Sequence, residues 1–102
     1  MRTKKIQLFE KIREWSKSKG IIQFGDVKTQ QIKLTEEVGE ISRAILKTDD
    51  KALKDGIGDA GIVLINLAAI ADTSLEECLE IAYNEIKDRD GNMINGTFIK
   101  DE

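Results

Sequence analysis

Apolar residues recur along much of this chain at intervals of three and four, the spacing that gathers them on one side of an α-helix. Ile6, Leu8, Phe9, Ile12 and Trp15 follow it roughly, predicting a first helix over about 3–19 that Gly20 ends. A linker with Gly25-Asp26 comes next, apolar enough to pack on the rest of the protein. Leu34, Val38, Ile41 and Ile45 then form an i, i+4, i+7, i+11 stripe, the core face of a second helix over about 28–47. Thr48-Asp49-Asp50 breaks the pattern, and either aspartate can cap the next helix. That third helix, about 51–71, is apolar nearly all round after Asp59, which makes it the central, most buried element. Ser74 with Glu77 three residues later is a capping box that opens a fourth helix, about 75–89. Its inward positions are Leu75, Cys78, Leu79, Ala82 and Ile86, and Gly91 ends it. In the tail, 91–102, Asn95-Gly96 between apolar residues signals a short type I′ hairpin or extended segment.

These elements predict an all-α protein, a four-helix bundle with a C-terminal extended tail or hairpin. At 102 residues the chain makes a single domain, 1–102. A chain this short buries a moderate fraction of its surface, so oligomerisation, as a homodimer or homotetramer, is expected to complete the core. The absence of proline agrees with the helical reading, because nothing interrupts the backbone ladder.

Charge narrows the partners. The net charge is −3 with both signs mixed along the chain, which argues against nucleic acid as a partner. A nucleotide stays open, since a bound cation reverses the local charge of an acidic site. The N-terminal stretch is charged throughout and lacks the apolar run of a signal peptide. The longest apolar stretch, Ala60 to Ala71, is too short to span a bilayer and contains Asn66. A lone cysteine, Cys78, cannot form an internal disulfide. No membrane association and a cytoplasmic location are expected. There is no histidine, which removes Ser-His-Asp and Cys-His nucleophiles, common zinc sites and the usual general base.

Any hydrolytic chemistry must therefore use carboxylates, lysine, tyrosine or a hard metal ion with oxygen ligands. Glu37 and Glu40 fall on one flank of the second helix's apolar stripe, with Gln30 and Lys33, and Glu36 lies slightly further round. Acids at i, i+3 and i+4 repel on a bare helix, and a divalent cation turns that repulsion into coordination. A solvated acidic face is the plainer account of such a cluster taken alone. Asp59 changes the balance, because it opens an apolar run where an ionised group is costly unless paired or metal-bound. Asp55 precedes it by one turn on the same face. Acidic pairs on consecutive antiparallel helices can meet across the bundle as oxygen ligands suited to Mg²⁺, with Mn²⁺ as a substitute. A helix N-terminal charge for Asp55, and a salt bridge from Asp59 to Lys33 or Lys87, are the structural alternatives.

Gly39, Gly58 and Gly61 inside helices suggest close approach of the second and third helices, at a cost of roughly 1 kcal/mol each against alanine. If the fourth helix faces the site, Lys87 and Arg89 can neutralise phosphate oxygens and Asn84 can bond sugar or base; solvated surface competes with that for Lys87 and Arg89. Trp15 either stacks on a base or packs in the core.

The run Glu36-Glu37-Val38-Gly39-Glu40, followed after a short loop by Asp55-Gly56-Ile57-Gly58-Asp59 and an apolar helix, resembles the MazG-like branch of the all-α nucleotide pyrophosphohydrolases. The family pattern is ExxE, a spacer, then ExxD. By resemblance Glu37, Glu40 and Asp59 are metal ligands, and Glu36 matches an additional acid beside the first. The Glu of ExxD falls on Gly56, with Asp55 as substitute. The resemblance implies Mg²⁺-dependent hydrolysis of a nucleoside triphosphate to monophosphate and pyrophosphate, a nucleotide-pool housecleaning activity, with Glu36 or Glu37 as general base. A dUTP- or dCTP-selective pyrophosphatase and a catalytically weak nucleotide- or protein-binding module are the rivals.

Overall fold

Helix-starting residues act where a carboxylate or hydroxyl can reach a free backbone N–H. In the computed structural model, which describes residues 2–102 with side chains from Gln7 onward, helix α1 runs Arg2–Ser18 and α2 is a short turn, Ile21–Phe24. The side chain of Ile6, the first member of the α1 apolar stripe, lies outside the described residues. Gly20, at φ 78°, makes the left-handed corner between α1 and α2 that favours glycine. Asp26 caps α3 (Val27–Leu46) by accepting from the Thr29 N–H at 2.9 Å, and that bond holds its carboxyl below the usual range. Asp49 caps α4 (Asp50–Ile70) through the Ala52 N–H at 3.0 Å. Ser74 caps α5 (Leu75–Ile86) by accepting from the Glu77 N–H at 3.1 Å. The capping box is half made, because the Glu77 carboxylate takes the Thr73 hydroxyl.

Strands β1 (Gly91–Ile94) and β2 (Thr97–Lys100) pair antiparallel, with Met93 opposite Phe98 and Ile94 opposite Thr97. Asn95 and Gly96 turn between them at φ 50° and 82°, the positive pair that a two-residue turn requires. A hairpin is therefore present in the tail, as the Asn-Gly signal indicates.

Helix α4 is the hub. It packs against α3 along the pair's length and touches α1, α2 and α5, and it holds most of the buried residues: Gly56, Val63, Ile65, Asn66 and Ala68. Arg13 on α1 adds a forked bond to Glu76, at 2.9 and 2.7 Å, that anchors the start of α5 and keeps the Glu76 carboxyl below the usual range.

Several expectations change. The described residues form five helices rather than four, because the apolar linker winds into α2. The last helix stops at Ile86, short of Arg89. Among the described residues α3 packs on α4 alone and the β-hairpin runs alongside no helix, so the helices do not close into a bundle within one chain. Val38 and Ile45, assigned to the core by periodicity, are exposed, because the α3 stripe is wider than α4 can cover. Cys78, Leu79, Ala82 and Ile86 are exposed too, Leu75 being the one residue of α5 that is not. The close helix approach falls on Gly56, where a β-carbon would sit 3.1 Å from Ile41 Cγ1; Gly39, Gly58 and Gly61 face open space.

Candidate functional site

The antiparallel pairing of α3 with α4 brings the acids of the two helices to one side. A cavity of about 200 Å³ between them is lined by Glu40 from α3 and by Asp55, Gly56 and Asp59 from α4. Arg43, Lys47 and Asp49 complete its rim, and Arg43 Nη1 donates to Glu40 Oε1 at 2.7 Å, one turn along the same helix. The rim is thus mixed in sign rather than purely acidic.

A second cavity, about 440 Å³, lies against the first and shares Asp59 with it. Gln30, Lys33 and Glu37 of α3 line it, together with Ile62, Val63 and Asn66 of α4, Ile21 of α2 and Trp15 of α1. Trp15 is 53% exposed, so its indole faces this cavity rather than the core. Asn66 is 4% exposed and its Oδ1 finds no hydrogen-bond partner among the described residues, a costly state for a buried carboxamide. A ligand or water in the cavity is the natural partner for it.

The structure thus brings Gln30, Lys33, Glu37, Asp59 and Trp15 to one cavity and Glu40, Asp55 and Asp59 to its neighbour. Glu36 lines neither, and the same holds for Asn84 on α5 and for Lys87 and Arg89 beyond its end. Asp59 forms no ion pair with Lys33 or Lys87 among the described residues. Asn66 is the residue that motif reading passed over. Its signal was present, a lone amide inside an apolar run, two turns after Asp59 on the same face.

The donor set suits a hard divalent cation, since every acid here offers oxygen. Among the described residues, no three such side chains lie close enough together to hold an ion. The carboxylates line adjoining cavities without converging, which agrees with mutual repulsion between like charges.

Residues 25–94 match the MazG nucleotide pyrophosphohydrolase domain, well over half of the chain. The chain belongs to this family. The MazG match spans α3, α4, α5 and β1, and leaves Trp15 outside it. Curated relatives are small proteins without assigned roles. The chain is 34% identical over 62 residues to an uncharacterized 18.2 kDa protein from the rep-hol intergenic region of Haemophilus phage HP1, covering 61% of this chain and 38% of that one. It is 35% identical over 68 residues to the uncharacterized protein YpjD of Bacillus subtilis, covering 57% of this chain and 61% of that one. The match thus spans less than two thirds of either relative. No solved structure matches the chain. No helix among the described residues is long and apolar enough to cross a membrane.

Proposed function

We propose that this MazG chain hydrolyses a nucleoside triphosphate to the monophosphate and pyrophosphate, with Mg²⁺ as its cofactor, working as a homodimer or homotetramer in the cytoplasm. The observation that carries this reading is the shared wall at Asp59. A cavity lined by carboxylates with Arg43 and Lys47 at its rim and a cavity with an aromatic face and an unpartnered amide adjoin there, so one ligand with a cation-bound anionic end and a nucleoside end fits across both. The larger cavity lies within the range of small-molecule sites.

Glu37, Glu40, Asp55 and Asp59 are the residues that would hold the cation, drawing together on it from the two adjoining cavities. Mg²⁺ supplies charge neutralisation for the phosphates and activation of water. Lys33 and Arg43 sit at the rims, where they can bind phosphate oxygens. Glu37 is half-buried in the larger cavity and is the better general base, since Glu36 lines neither cavity. Water attacks the α-phosphorus, the bond to the bridging oxygen breaks, and pyrophosphate leaves. Trp15 can stack on the base while Asn66 bonds its edge or the sugar. Excess exposed surface supports the oligomer: the chain exposes 8227 Å², against about 5,800 Å² for a compact monomer of its mass.

A Mg²⁺-dependent screen of canonical and modified nucleoside triphosphates, with product identification, tests the reading. Monophosphate plus pyrophosphate is expected, with a fall of at least about 100-fold in Glu37→Gln and in Asp59→Asn. Diphosphate plus phosphate would overturn the mechanism. Binding without turnover would favour the rival reading of a weakly catalytic module, which the non-converging acids and Gly56 in the motif position support.

A further inference from the structure

Arg13 holds Glu76 at the start of α5, and past that anchor the C-terminal quarter of the chain packs on little else among the described residues. Beyond Leu75 every residue of α5 is exposed, and the hairpin after it approaches no helix among the described residues. Leu79 and Ile86 share a face of α5, two turns apart. Met93 and Phe98 lie on one side of the hairpin, Ile94 and Ile99 on the other, all of them exposed. Neither unit is self-supporting: a 12-residue helix is too short to hold alone in water, and an isolated two-stranded hairpin is marginal at best. These side chains need cover from elsewhere.

The α3–α4 pair has a matching vacancy. Val38 and Ile45 on α3, with Ile57 and Leu64 on α4, are exposed. At 100° per residue they lie roughly 120° around α3 and 170° around α4 from the acids, on the back of the pair. Covering that back leaves both acid-lined cavities open.

We infer that residues 76–102, the outer part of α5 and the β-hairpin, form an arm that packs on the α3–α4 back of a second copy of this chain, and reciprocally. Each copy carries both the uncovered arm and the uncovered back, so one two-fold axis satisfies all four surfaces. The excess area agrees. The 8227 Å² exposed exceeds the compact-monomer value by about 2,400 Å², and obligate dimers bury roughly 1,000–2,500 Å² per partner. A lipid surface or nucleic acid fits poorly, because the arm carries eight acidic residues against three basic ones. The inference rests on the proposed oligomer and not on its chemistry.

Sedimentation of the full chain tests it, together with Ile86→Asp/Phe98→Asp in the arm and Val38→Asp/Ile57→Asp in the back. A wild-type dimer or tetramer is expected, with association weakened at least 100-fold by either pair of substitutions. Hydrogen exchange on the wild type gives a second reading that needs no variant: amides of 91–100 should be protected at high protein concentration and lose protection on dilution. An oligomer that dissociates on the back substitutions but not on those in the arm would overturn the exchange, as would hairpin exchange independent of concentration. A wild-type monomer at every concentration would overturn the arm and the oligomer together, while leaving the activity screen to decide the chemistry.

Discussion

Asn66 and Trp15 show how much of a site can rest on side chains that no motif contains. A carboxamide at 4% exposure with an unpartnered Oδ1 is held ready to bond something that enters the adjoining cavity. Trp15 lines the same cavity with a broad apolar face. Truncating Trp15 to alanine should raise KM for the substrate roughly tenfold, the size of one lost base-stacking interaction, with a smaller change in kcat. Steady-state kinetics checks this, and a fall in kcat with KM unchanged would place the indole outside the ground-state complex. At this scale the acids were legible, because carboxylates at i, i+3 and i+4 beside an apolar stripe leave a clear mark. The cavity's composition was less so, since Trp15 arrives from α1 and Ile21 from α2, and no periodicity within α3 or α4 encodes either neighbour.

At the scale of elements, the joint between α3 and α4 is made of backbone more than of side chains. Thr48 takes φ 50°, and the Asp49 N–H bonds back to Ala44 O at 3.0 Å, closing α3 in a Schellman-type turn. That left-handed position suits glycine, and a β-branched threonine there is strained. Thr48→Gly should relieve about 1 kcal/mol of this strain and raise Tm by several degrees in a chain of this size. Calorimetry checks it; a lowered Tm would mean that the threonine side chain contributes more than the turn costs it. Helix starts were readable in the sequence because Asp49 and Ser74 carry their own capping chemistry. The extent of α5 packing was not, because Leu79, Ala82 and Ile86 keep helical periodicity whether the surface they meet belongs to this chain or another. Gly56 makes the same point about glycines: three were equally placed in the pattern to mark close approach, and a fourth, facing Ile41, does so.

For the whole molecule, openness is the main property. The radius of gyration is 16.0 Å, against about 13 Å for a compact domain of this length. The buried apolar side chains comprise Ala44, Val63, Ile65 and Ala68 among the described residues, a small core. Stability should therefore depend on association, with Tm rising as protein concentration rises. Scanning calorimetry across a hundredfold range of concentration checks this, and a constant Tm would show that the single chain is sufficient. The mostly helical character and the tail hairpin were legible in the sequence. A bundle closed within one chain was not to be had, since amphipathic stripes specify that a face must be covered without saying by which molecule.

The short joint of Lys47, Thr48 and Asp49 also bears on how the protein comes into being. Contacts between α3 and α4 close a small loop, so they form early and fast, ahead of any encounter between chains. Glu37 and Glu40 are thus set on the same side as Asp59 while the chain is still solitary. The proposed assembly would then follow as a slower, bimolecular step whose rate depends on how many copies the cell has made.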